Sequence, residues 1–228
     1  MVNNKKLYEA QLEYKQLLTD KSLSPHSAMY LIQSINSNLQ AEGKDASALE
    51  TYDKKSKEDV EEIIRQALNA IRIQHSIKLY EVFINDKSLD PHSAECLVIK
   101  IKKTLDEAGE KLSILDPKCD DVEDSLKEGM NRIRVKHSQM LYSRIQNNIP
   151  TDYSAEDSVK IIRSLLKQSG KDLSAIYQDE ERKIPVTEES LKRLLDAEKR
   201  FKDSELDDDK YQKLVSGNGN KHELSRVR

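Results

Sequence analysis

This chain of 228 residues has no tryptophan, two phenylalanines, two cysteines, six glycines and five prolines. So little glycine and proline excludes a fold built from many tight β turns. Two cysteines, Cys96 and Cys119, are too few for a disulfide framework, and their placement in and before helical patterns fits a reducing compartment. No run approaches the roughly 18 apolar residues that a spanning helix needs, so no membrane span is expected. Met1 leads straight into polar Asn3-Asn4-Lys5-Lys6 without a secretory pattern, and a cytoplasmic location is expected. Charge of one sign is not in excess either. The 38 basic residues face 41 acidic ones, for a net charge of −3. That balance argues against a dedicated nucleic-acid or membrane-surface binder, classes that show a basic excess.

What the chain does have is internal repetition. Lys21-Ser22-Leu23-Ser24-Pro25-His26-Ser27-Ala28 returns as Lys87-Ser88-Leu89-Asp90-Pro91-His92-Ser93-Ala94, an offset of 66 residues (87 − 21). Leu31, Ile32, Ile35, Leu39, Gly43 and Leu49 meet Leu97, Val98, Ile101, Leu105, Gly109 and Leu115 at the same offset. A degenerate third copy follows, in which Gly170-Lys171-Asp172-Leu173-Ser174-Ala175-Ile176 matches the segment from Gly109 after 61 residues (170 − 109). Isoleucine and leucine recur at spacings of three and four through most of residues 5 to 205, the mark of amphipathic helices. The expectation is an all-α fold of about three tandem helical repeats of 61–66 residues, forming an elongated array or bundle. The expected division is residues 1–55, 56–117 and 118–185 as repeats, 186–204 as a capping helix, and 205–228 as an acidic, disordered tail.

Helix boundaries follow from local chemistry. Ser24-Pro25 and Asp90-Pro91 read as N-cap and first helical residue, because the cap oxygen accepts an orphan N–H and proline lacks one. Thr151 or Asp152 is expected to cap the third short helix, and Gly43, Gly109 and Gly170 to end helices in the left-handed conformation. Two long helices are expected over about 57–86 and 119–148, and another over about 188–203. On the first, Val60, Ile64, Leu68, Ile71, His75, Leu79 and Val82 form a stripe. On the second, Val122, Leu126, Met130, Ile133, His137, Leu141 and Ile145 do the same. Both histidines are therefore expected to face the core.

No catalytic constellation and no metal site is expected, since neither His-x-x-x-His nor Cys-x-x-Cys occurs, and no cofactor is implied. Arg72 with His75, and Arg134 with His137, are the candidate ligand residues. Three-residue spacing places each pair on neighbouring positions of one helix face, where arginine supplies forked donors and histidine another, as an anion or nucleotide would require. The competing reading is a packing histidine with arginine over its rim. Tyr14, Tyr80 and Tyr142 recur in register and are candidate interface residues, rings at helix seams with hydroxyls near water. His92 and Cys96, at i and i+4, lack a third group to orient the histidine and read as coincidence. Lys100, Lys102, Lys103 and Lys111 read as a solvated face.

The lysine, asparagine and isoleucine richness, the acidic stretch from Glu188-Glu189 through Asp207-Asp208-Asp209 and the ending Leu224-Ser225-Arg226-Val227-Arg228 carry a resemblance. In these features the chain resembles the small helical effectors that intracellular bacteria such as Legionella deliver by type IV secretion. The resemblance implies that the tail is a translocation signal, that the protein is exported into a host cell without a classical signal peptide, and that the helices meet a host or bacterial partner. It brings no catalytic residues. The functional expectation is a non-enzymatic module binding a protein partner and no nucleic acid; the alternative is an anion or nucleotide binder using the Arg/His pairs.

Overall fold

In the computed structural model, residues 4–50, 55–147, 149, 151–197, 199 and 200 are described. The expected tail at 205–228 and Phe201 lie outside them. The fold is mostly helical: α1 (Lys5–Thr19), α2 (Pro25–Ala41), α3 (Lys57–Asn85), α4 (Pro91–Ala108), α5 (Val122–Gln146), α6 (Ala155–Gln168) and α7 over 188–197. Short 3-10 turns follow α2, α4 and α6 at Ala46–Leu49, Leu112–Ile114 and Leu173–Ala175. The chain forms two compact units, Met1–Met130 and Asn131–Arg228, with the boundary inside α5. Among the described residues no helix is long and apolar enough to cross a membrane.

Capping explains where the helices begin. The Ser24 hydroxyl accepts from the Ser27 N–H at 3.1 Å, and the Asp90 carboxylate from the N–H groups of His92 and Ser93 at 2.9 and 3.0 Å. α3 opens with a reciprocal pair, the Ser56 hydroxyl accepting from the Asp59 N–H and the Asp59 carboxylate from the Ser56 N–H. α6 is capped by Ser154, which accepts from the Asp157 N–H at 3.0 Å, not by Thr151 or Asp152. The Thr151 hydroxyl instead donates to the Tyr153 carbonyl within the preceding turn. α2, α4 and α6 end alike. The N–H groups of Lys44, Glu110 and Lys171 reach back to Leu39, Leu105 and Leu166, a closure that requires the positive φ of Gly43, Gly109 and Gly170.

In the first unit one core cluster joins Ala10, Tyr14 and Leu17 of α1 to Ile35 and Leu39 of α2, Leu49, and Val60, Ile64 and Leu68 of α3. α3 also packs along α4. In the second unit Leu141 and Tyr142 of α5 meet Val159, Ile162 and Leu166 of α6, with Ile176, Val186 and Leu191 closing the cluster.

The stripes of the long helices differ from expectation. α3 buries Val60, Ile64, Leu68, Ser76, Tyr80 and Phe83, while Ile71, His75 and Leu79 are half-buried and Val82 is exposed. From Val60 to Tyr80 the core line advances in steps of four, and each step gains about 40° on the 100° helical period, so it winds around α3 as the neighbours change from α1 and α2 to α4. On α5 Val122, Leu126, Met130, Ser138 and Tyr142 follow the same stepping, and of the later expected stripe Leu141 is buried while Ile133 and His137 are half-buried. Ser76 and Ser138, both 0% exposed, thus hold the places expected of His75 and His137, and Arg72 and Arg134 fall on the lines.

Among the described residues one segment forms strands. Tyr177–Asp179 and Ile184–Pro185 pair as a two-stranded antiparallel ribbon. The Asp179 carboxylate accepts from the N–H groups of Glu181 and Arg182, and Lys183 turns at φ 50°. The Gln139 side chain holds the ribbon's start, donating to the Tyr177 carbonyl at 2.8 Å and accepting from its N–H. Pro185 needs no donor because it lies on a ribbon edge.

Candidate functional site

The structure separates the residues of the first Arg/His pair. Arg72 reaches the end of α4, where Nη1 donates to the Glu107 carbonyl at 3.0 Å and to Asn69 Oδ1 at 3.3 Å, and Nη2 lies 3.3 Å from Glu107 Oε2. A guanidinium there satisfies a terminal carbonyl and complements the negative end of the helix. It is occupied as a structural cap, and Nε is buried without a protein partner. His75 instead lines a groove on the first unit. In the second unit Arg134 Nη1 stands 3.5 Å from Asn131 Oδ1, the same three-residue relation as Arg72 to Asn69.

Nor are the register tyrosines available as a surface. Tyr14, Tyr80 and Tyr142 are 5%, 7% and 2% exposed, and their rings belong to the cores. The Tyr14 hydroxyl donates to Glu50 Oε1 at 3.1 Å, and Glu50 is also 3.1 Å from Lys55 Nζ. Burial, then the Glu50 charge, pushes the Tyr14 phenol up to about 12. Burial likewise raises Tyr80 and Tyr142. Their steps of 66 and 62 residues (80 − 14 and 142 − 80) place them on the core line, which is why they recur.

The groove is lined by apolar residues of α1, the loop after it and α3: Leu17, Leu18, Leu23, Ala67, Ala70 and Ile71. Its volume is about 490 Å³. Asp20, Lys21, Gln74, His75 and Lys78 edge it. The Asp20 carboxylate accepts from the N–H and hydroxyl of Ser22 at 2.9 and 2.6 Å, which fixes the loop and holds the acid below the usual carboxylate range. His75 is lowered by burial first, then by the charges of Lys100 and Lys78. The floor is apolar and the rim net basic.

Sequence reasoning found His75 but missed the rest of this groove. Lys21 and Leu23 lay within the repeated octapeptide, and the small residues Ala67 and Ala70 opposite Leu17 and Leu18 were the available signal. Lys102, Lys103 and Lys111 line a wider, charged cleft with Asp106, Glu110 and Glu123, and Lys102 Nζ stands 3.0 Å from Glu123 Oε1. His92 Nε2 and Cys96 Sγ are 3.8 Å apart on the exposed first turns of α4. Among the described residues no three His, Cys, Asp or Glu side chains cluster as a metal site.

Comparison with known proteins finds no matching family model, no similar curated protein and no similar solved structure.

Proposed function

We propose that this chain is a non-enzymatic tandem helical-repeat module that binds a protein partner. The observation that carries the reading is apolar surface left outside the first core: Tyr8 and Leu12 of α1 are 63% and 51% exposed, Tyr30 of α2 is 60% exposed, and Leu18 opens onto the groove. Tyr8 and Leu12 stand at i and i+4, so they share one outward face. Single exposed apolar residues are ordinary, whereas a pair on successive turns of one helix, together with an apolar groove on the same unit, supports a recognition surface. The repeat reading draws support from burial at matched positions. Ala10, Ser76 and Ser138 are all fully buried, as are Ile35, Ile101 and Ile162. The anion-binder alternative is disfavoured by the engagement of Arg72 with Glu107.

The resemblance to type IV effectors directs the search to host as well as bacterial partners. The test is affinity capture from both kinds of lysate with the full chain, beside a His75→Ala/His137→Ala variant shown by circular dichroism to remain folded. A stoichiometric partner retained by both is the expected result and assigns the histidines to packing. Capture of nothing above background from either lysate would overturn the reading.

A further inference from the structure

We propose that the groove between the end of α1, the 20–24 loop and the middle of α3 receives an acidic, leucine-bearing amphipathic helix of the partner. This deepens the interaction-module reading and rests on it.

Three observations define the occupant. The first is shape. The α3 residues lining the groove run from Ala67 to Lys78. At 1.5 Å per residue that is about 16 Å, or three turns, the length over which a helix presents anchors at i, i+4 and i+7. The floor beneath it is aliphatic, and the 44% exposed Leu18 stands on its lip.

The second is charge. Lys21 and Lys78 stand on the rim, and Lys100 lies near enough to His75 to oppose its protonation. The one rim carboxylate, Asp20, is turned to Ser22. Aspartate or glutamate flanking the partner's leucines would meet the lysines, whereas a basic helix would meet like charge.

The third is a contrast within the chain. Leu17 and Ala67 correspond, at offsets of 66 and 62 residues, to Phe83 and Gly129. There the Phe83 ring lies so close that a Cβ built on Gly129 would come within 2.6 Å of it. The phenylalanine ring fills the space over Gly129; Phe83 and Leu17 are both buried, at 3% and 2% exposure, so the two places differ in the size of the paired side chains. At the earlier place the smaller pair, leucine and alanine, lines the groove. The two long-helix junctions thus carry different residue pairs, a ring against glycine at one and leucine with alanine along the groove at the other.

The test uses the full chain and a fluorescein-labelled helical peptide with leucines at i, i+4 and i+7 and glutamates between them, beside a mate with lysine for every glutamate. Anisotropy should show saturable binding of the acidic peptide, about tenfold or more tighter than its mate. Ala70→Trp, at an exposed position on the groove wall, should weaken it at least about tenfold, and the exposed Lys78→Glu should narrow or reverse the preference between the peptides. Unchanged far-ultraviolet circular dichroism confirms that each variant is folded. No saturable binding by the wild type, equal affinity for both peptides, or unchanged affinity in both variants would overturn the proposal. Sedimentation showing self-association that Ala70→Trp abolishes would overturn it in favour of a second copy of the chain. If a captured partner binds Ala70→Trp as well as wild type, the groove assignment fails while the module reading stands. Failure of wild-type capture overturns the module reading instead.

Discussion

A serine hydroxyl at position 76 is fully buried without a protein partner, whereas that of Ser138, 62 residues on, donates to the Arg134 carbonyl at 2.9 Å. The matched residue in α1 is Ala10, equally buried. An unsatisfied buried hydroxyl costs stability that a methyl group does not, and alanine is the better helix former. Ser76→Ala should therefore raise unfolding stability by about 1 kcal/mol, with Ser138→Ala close to neutral, as urea denaturation would measure. A clear loss on Ser76→Ala would mean that the hydroxyl bonds a group within the core. Tyr14 supplies the pH dependence. Its folded pKa, about 12, exceeds the ordinary value of 10.0. The neutral phenol is thus favoured by folding, and this contribution is complete below pH 10 and lost as pH rises towards 12. Phenolate absorbance should show Tyr14→Phe removing amplitude from the upper part of the titration. If the lost amplitude lies near pH 10 instead, ring burial and Glu50 are not holding the proton.

Between elements, the clearest departure from uniform packing is the approach of α5 to α3 at Gly129. Alanine there gains up to about 1 kcal/mol of helix propensity, but its Cβ would press on the confined Phe83 ring, and overpacking costs about 1–3 kcal/mol. Gly129→Ala should be net destabilising in chemical denaturation. Adding Phe83→Leu recreates the Leu17/Ala67 combination and should restore part of the loss, giving a favourable coupling of about 1 kcal/mol in a double-mutant cycle. Additive effects would show that the ring has room to move. Helix boundaries at this scale were legible because caps act locally: Ser24-Pro25, Asp90-Pro91 and the three glycines need only their neighbours in sequence. The burial line was not, because a stripe mixing steps of three and four and one stepping by four begin on the same Val60, Ile64 and Leu68. Which continuation is buried depends on where α4 lies. Hence histidine was expected in the line where the fold buries Ser76 and Ser138, and the arginines were placed on its rim.

For the whole molecule, periodicity indicated the helical class, but the ribbon at Tyr177–Asp179 and Ile184–Pro185 was hidden because Gln139, from a distant helix, pairs with its backbone. The groove was hidden for a similar reason, since Ala67 and Ala70 acquire meaning only when the end of α1 lies opposite them. One consequence of the architecture concerns independence of folding. The first core cluster draws its residues only from positions 7 to 71, and α3 then packs along α4 within the same unit. A fragment of residues 1–146 keeps this cluster, α4 and all of α5, and lacks the α6 and later residues that pack on Leu141 and Tyr142 in the second unit. It should therefore fold with a cooperative thermal transition, its Tyr14 ring still buried, while α5 frays beyond Met130 where its apolar partners are gone. Hydrogen exchange would read this directly, with amides of α1 to α4 as protected as in the full chain and those after residue 131 exposed. Loss of protection throughout α1 to α4 would show that the first core depends on the second unit for its stability.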